Sequence, residues 1–255
     1  MKALGIFKMN MALASLAIMM SGCLNSDDPD FYININQAFV SQYGTGDEAV
    51  FAPYISIYSL THSVQSATLG YEGNTYQFNR IANLSNSLQI SAGTYGGFPT
   101  LPSIPNGVYT INAVSSPDGL AASNSFTINL DRNLKLGPIT LKSFTYKASE
   151  GIKAEWEPVE NAKSYGLVIT PVVEVEGVYT SVGKGLYRWD ANDHGTENAG
   201  VFNPSGAFPD GQRLRVSFAA YGGNDLQMPN ILVLEGETIE IVWGKDYEAD
   251  NSSEK

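Results

Sequence analysis

A chain of 255 residues carries a formal net charge of −11, with 26 acidic against 15 basic side chains, and is 43% hydrophobic. So acidic a surface repels phosphates, which weighs against nucleic acid and against direct adhesion to anionic lipid headgroups. The single cysteine, Cys23, excludes an intrachain disulfide.

In chain order, Lys2 and Lys8 precede an apolar run at residues 11–20, followed by Ser21, Gly22 and Cys23. That is the layout of a cleaved signal peptide, residues 1–22. The run is shorter than the roughly 20 apolar residues that span a bilayer. The stretch Met20, Ser21, Gly22, Cys23 resembles the bacterial lipobox, with Met20 in place of the usual leucine. The resemblance implies that Cys23 is lipidated with a diacylglyceryl thioether and an acylated amine, each buried methylene adding about 0.8 kcal/mol to membrane attachment. Loss of residues 1–22 takes away two lysines and moves the charge to −13 over the remaining 233 residues. Residues 23–30 form a polar, acidic tether, similar to the signal that sends some outer-membrane lipoproteins to the cell surface, or simply a solvated linker. The expected location is the outer membrane, lipid-anchored and facing the cell exterior.

The rest reads as short β-runs broken by Gly, Pro, Asn and Asp, without a long stretch of helical periodicity. Phe31, Ile33 and Ile35 alternate with Tyr32, Asn34 and Asn36, and Phe126, Ile128 and Leu130 alternate with Thr127 and Asn129. Residues 54–60 and 108–115 alternate in the same way, so each run predicts one buried face. Within residues 69–78, Gly73 and Asn74 are read as a two-residue turn, which sets Tyr71 opposite Tyr76 and Leu69 opposite Phe78. Residues 95–107 carry Pro99, Pro102 and Pro105, which lack amide donors and cannot join a central strand. Two readings compete there: a binding loop displaying Tyr95 and Phe98, or a sheet-to-sheet crossing with those aromatics inside. The second is preferred.

Residues 131–138 mark the expected boundary between an N-terminal β-sandwich, 31–136, and a second one, 137–244. In the second, Ile152, Ala154 and Trp156 are expected to point inward, residues 158–162 to connect, and Tyr165, Leu167 and Ile169 to face them from the opposite sheet. Leu214, Val216, Phe218 and Ala220 alternate later, and Ile239, Ile241 and Trp243 supply a last strand. This half resembles a fibronectin type III module, although Leu214 stands where the family commonly has a tyrosine, so its corner hydrogen bond is not expected. Residues 245–255 are polar and charged and are expected to be a disordered tail. The fold class is thus all-β, with two consecutive Ig-like or fibronectin type III-like sandwiches after a lipoprotein signal peptide.

The sequence offers few parts for catalysis. Cys23 is committed to the anchor, and His62 and His194 lie in no nucleophile motif. Acidic pairs such as Asp47 with Glu48 and Glu155 with Glu157 are read as solvated faces rather than a glycosidase pair. No enzyme activity is expected. Residues 187–198 are chemically richer. Asp190, Asn192 and Gly195 match three positions of a calcium loop, but His194 and Val201 break the EF-hand pattern. A looser calcium site at Asp190, Asn192, Asp193 and Glu197 competes with an Asx-rich turn. Tyr179, Tyr187 and Trp189 beside these polar groups would suit sugar stacking, or would fill the sandwich core.

The architecture resembles accessory lipoproteins of outer-membrane glycan-capture systems. The expectation is noncatalytic recognition of an extracellular glycan or a partner protein, without nucleic acid, and with calcium as the one candidate cofactor. An adhesin or pilus subunit is the alternative. Lipoprotein pilins mature by cleavage after a basic residue, whereas the first one after Cys23 is Arg80, beyond the hairpin.

Overall fold

The computed structural model describes residues 30–81, 84–94, 96–175, 178–181, 184–189, 199–202, 208–223 and 226–248. For residues 175, 178–181, 186–189, 199, 200, 202 and 248 the backbone alone is described. Within them the chain is all-β, with a single 3-10 turn at Gly46–Glu48.

The strands are β1 (Asn34–Tyr43), β2 (Val50–Tyr58), β3 (Ser63–Tyr71), β4 (Asn74–Gln77), β5 (Asn79–Arg80), β6 (Ser87–Ile90), β7 (Gly107–Ser116) and β8 (Ala121–Ile128). They continue with β9 (Leu141–Lys147), β10 (Gly151–Trp156), β11 (Ser164–Val175), β12 (Val178–Ser181), β13 (Gly185–Trp189) and β14 (Ala199–Phe202). The last are β15 (Arg213–Gly222), β16 (Leu232–Val242) and β17 (Tyr247–Glu248).

Three sheets form. A nine-stranded sheet runs β12-β11-β15-β16-β1-β2-β6-β5, with β13 also paired to β11. Two four-stranded sheets run β4-β3-β7-β8 and β14-β10-β9-β17. The large sheet crosses from one half of the sequence to the other through β1 and β16, which pair in parallel from Val40 opposite Leu232 to Gln42 opposite Leu234.

Side-chain alternation explains how two cores share that sheet. On one face of β15, Leu214, Val216 and Phe218 enter a core with Phe144, Tyr146, Ile152, Ala154 and Trp156 of the β10 sheet. The next residue on that face, Ala220, enters the other core, with Val64, Leu69, Tyr109 and Ile111 of the β7 sheet. The two small sheets therefore cover the same face of the large one. Its opposite face holds a third buried cluster, with Phe39, Tyr54, Val168, Ala219, Tyr221 and Val233. Burial on both faces explains the continuous apolar run of β2, where alternation was expected: Phe51 to Ile57 are all buried.

Most expected inward positions are buried: Ile152, Ala154, Trp156, Leu167, Ile169, Leu214, Val216, Phe218, Ala220 and Ile241. Three further readings change, while the proline segment keeps its preferred one, with Phe98 inside. The 69–78 hairpin turns at Glu72 and Gly73, both with positive φ, so Tyr71 sits opposite Asn74 and Leu69 opposite Tyr76. Gly73 supplies one left-handed residue as expected, but Glu72 rather than Asn74 supplies the other. The proline segment carries Phe98 into the first core and touches β2 once, where Phe51 and Leu101 exchange two 2.8 Å backbone bonds.

The expected boundary is also not a gap in packing: residues from Phe31 on form one compact unit. Gln42 donates to the Leu136 carbonyl at 2.8 Å and accepts from the Leu136 amide at 2.8 Å. Asn106 does the same to Leu130, at 2.7 and 3.0 Å. A carboxamide has one donor and one acceptor side, so each supplies the linker with what a neighbouring strand would. Asn161 reaches the Lys135 carbonyl and Asn230 accepts from the Asn129 amide. Finally, the expected tail begins with order: Tyr247 and Glu248 pair with Tyr146 and Thr145.

Candidate functional site

Where β2 ends, the chain turns through residues 59–62 before β3, and residues 84–86 approach from the loop before β6. Ser59, Leu60, Thr61, His62, Ser63, Leu84, Ser85 and Asn86 line an open groove of about 320 Å³. The two walls are stitched together. The Ser59 amide donates to the Asn86 carbonyl at 3.0 Å, and the Asn86 carboxamide donates to the Ser59 carbonyl at 3.1 Å. The Ser59 hydroxyl is buried and accepts from the Thr61 and His62 amides, both at 3.3 Å. Serine in this position closes a tight turn through its own side chain.

Arg80 spans both walls. Its guanidinium donates to the Ser85 and Val64 carbonyls, each at 3.0 Å. In the sequence Arg80 stands out only as the first basic residue after Cys23. Its structural signal was weak: a cation placed between Phe78 and Ile81, both buried.

His62 closes one end. Its Nδ1 lies 3.0 Å from the Thr61 hydroxyl, and its Nε2 lies 4.0 Å from Asp118 on the β7–β8 loop. The His62 side chain is 12% exposed and Asp118 58%, so the pair marks the edge of the groove rather than a buried relay. The Phe31 ring packs edge-on against His62 at 5.8 Å. The groove therefore opens beside the point where the chain enters the fold. Its rim is apolar: Leu60 is 71% exposed and Leu84 40%.

A second polar cluster lies on the opposite face of the large sheet. The Tyr54 hydroxyl donates to Gln89 at 3.0 Å and accepts from the Lys184 amide at 3.1 Å. Lys184 Nζ forms an ion pair with Glu235 at 2.5 Å and lies 5.9 Å from the centre of the Tyr54 ring. Burial raises the Tyr54 phenol to about 12, partly opposed by the Lys184 amide and reinforced by Glu235. Burial likewise raises Tyr43, against the attraction of Lys184. This cluster pins the start of β13 onto β2, across the two halves of the sequence.

Of the residues singled out in the sequence, Cys23, Asp190, Asn192, Asp193 and Glu197 lie outside the described residues. Tyr179, Tyr187 and Trp189 are described by backbone alone. Tyr179 pairs with Glu174, Tyr187 with Leu167 and Trp189 with Tyr165. Leu167 is a buried member of the second core, and Tyr165 packs against it. His62 lies at a turn, and Glu155 and Glu157 are exposed, as expected. Among the described residues no three His, Cys, Asp or Glu side chains gather as a metal site, and no helix is long and apolar enough to cross a membrane.

No family model matches the chain, and no curated protein matches it. Nine chains of solved structures do. One is the crystal structure of the chicken CNTN1 FN1-FN3 domains, similar at 9% identity over 86% of this chain and 69% of that one, with a TM-score of 0.27. The all-β sandwich assignment accordingly rests on the strand register and the layered cores of this chain itself.

Proposed function

We propose that the protein is a noncatalytic recognition module, lipid-anchored through Cys23 at an outer membrane and facing the cell exterior, which binds an extracellular glycan or partner protein. The supporting observation is the groove at the β2–β3 turn. Its described lining combines hydroxyl, carboxamide and imidazole groups with two exposed leucines. Polar groups of that kind satisfy hydroxyls while apolar rims cover the hydrophobic patches of a sugar or an extended peptide. The walls are fixed by the Ser59, Asn86 and Arg80 bonds, so little ordering is left for binding to impose.

The pilus alternative draws no support from Arg80. Cleavage after it would remove β1 to β5, including the strand that joins the two halves of the large sheet.

A glycan array with residues 24–255, run with and without calcium, tests the reading. Binding lost in Leu60→Ser and Asn86→Ala variants that remain folded supports the groove. Binding lost only in Trp189→Ala, or only without calcium, moves the site to residues 187–198. If no glycan and no surface protein is bound, the recognition reading fails.

A further inference from the structure

We infer that the groove takes the neutral saccharide headgroup of a membrane glycolipid, with Leu60 and Leu84 leaning against the apolar margin of the bilayer; this rests on the anchored recognition reading above.

The first argument is reach. Six residues lie between Cys23 and Asp30, and the seven extended steps from one to the other span at most about 25 Å. Phe31, next in the chain, touches His62 of the groove. A lipid on Cys23 thus keeps the groove within one short tether of the bilayer. Ligands carried by the membrane itself are those it meets at highest effective concentration.

The second argument is charge. His62 is the one ionisable side chain among the described lining residues. The nearby guanidinium of Arg80 is turned onto the Ser85 and Val64 carbonyls. Asp118 stands at the His62 end and the chain as a whole is at −11. Such a site offers a phosphate headgroup little and repels it at long range, whereas neutral hydroxyls suit serine, threonine and asparagine partners.

The third is the rim. Leu60 and Leu84 are among the large apolar side chains this fold leaves exposed, and both border this groove. A soluble sugar covers such a rim only with its own small apolar patches, while a headgroup still attached to its acyl chains brings a continuous apolar boundary to it.

The experiment uses the lipidated full-length protein. With Cys23 acylated, Leu60→Cys introduces one free thiol for a polarity-sensitive fluorophore. Val108→Cys provides the control: Val108 is 63% exposed on β7, eight residues from Ser116, which pairs with Ser63 beside the groove. Eight strand residues place it roughly 26 Å away. The labelled proteins are reconstituted into phosphatidylcholine vesicles with or without a monoglucosyl diacylglycerol.

The expected result is a blue shift of the label at position 60 that requires the glycolipid, no shift at position 108, and loss of the shift in a folded variant that also carries Leu84→Asp. A shift that ignores the glycolipid, or one equal at both positions, overturns the inference. So does the absence of any shift in protein that floats with the vesicles; if the same protein still binds free glycans on an array, the recognition reading survives alone. Protein that does not float with vesicles at all removes the anchor, and the inference falls with it.

Discussion

Both sandwiches tie a tyrosine-rich core to their loops, but in opposite hydrogen-bonding senses. In the first, Tyr71, Tyr109 and Phe126 stack, and the two phenols donate to backbone carbonyls, Tyr71 to Asn106 at 3.0 Å and Tyr109 to Pro105 at 2.5 Å. In the second, Trp156, Tyr165 and Phe218 pack together, and the phenols accept: Tyr165 from the Val159 amide and Tyr146 from the Gly244 amide. Composition explains the difference. The loop over the first core contains Pro99, Pro102 and Pro105, so its carbonyls outnumber its amides. The loops over the second present amides that need an acceptor. A phenol can serve in either sense, so one residue type closes both cores.

The comparison is broken most severely by emptying one core. Trp156 is 2% exposed between Tyr165 and Phe218. Trp156→Ala should cost about 3 to 5 kcal/mol in denaturant unfolding. Because the large sheet is common to both cores, we expect one cooperative transition to move as a whole. Separate unfolding of the two halves, with the first unchanged, would show that sharing a sheet does not couple them.

That coupling was the part of the fold least legible in the sequence. Alternation gave the inward residues of β7, β10 and β15 because each buries at least one face. It did not give β2, whose two faces are both covered, nor the parallel pairing of β1 with β16, which is a contact between residues nearly 200 positions apart. Gln42 and Asn106 were invisible for a different reason. Their role is to imitate a strand edge for Leu136 and Leu130, and nothing in local pattern distinguishes such an amide from a surface one. The groove was barely legible: nothing around His62 marked it as a wall residue, and the partner wall, residues 84–86, comes from another loop. The two walls meet only because Ser59 and Asn86 exchange hydrogen bonds across 27 positions of sequence.

Gln42→Leu tests the junction. It leaves the Leu136 amide and carbonyl without their partner in a buried setting, at a cost of about 1 to 3 kcal/mol. Limited proteolysis should then cut within residues 131–138 faster than in the parent protein. Unchanged cleavage and stability would mean that Asn106, Asn161 and Asn230 suffice to hold the linker.

Alkaline titration sharpens the comparison on the back face. Tyr54 ionises at about 12 when folded, against about 10 in an unfolded chain. Above pH 10 the unfolded state loses this proton first, so it binds fewer protons than the native state and stability falls with pH. The contribution is fully present below pH 10, and about 2 to 3 kcal/mol is lost by pH 12. Burial raises Tyr109 as well, so the first core declines over the same limb. In Tyr54→Phe the slope between pH 10 and 12 should flatten; an unchanged slope would assign alkaline unfolding to the first core alone.

The smallest effect on stability is expected where the fold leaves its leucines in water. Leu69 and Leu167, fully buried in the two cores, should each cost about 2 to 5 kcal/mol on truncation to alanine. Leu60→Ser should change stability by no more than about 0.5 kcal/mol, because Leu60 is 71% exposed, while Leu84→Ser, at 40% exposed, should cost more than that but less than a core truncation. An exposed leucine that contributes little to folding and borders a prebuilt polar groove is explained more readily by what it touches outside the chain. Thermal melts of the two serine variants, run beside the Leu69 and Leu167 variants, separate the roles. If Leu60→Ser lowers the melting temperature as much as a core truncation, the rim belongs to the scaffold and the groove loses its argument for recognition.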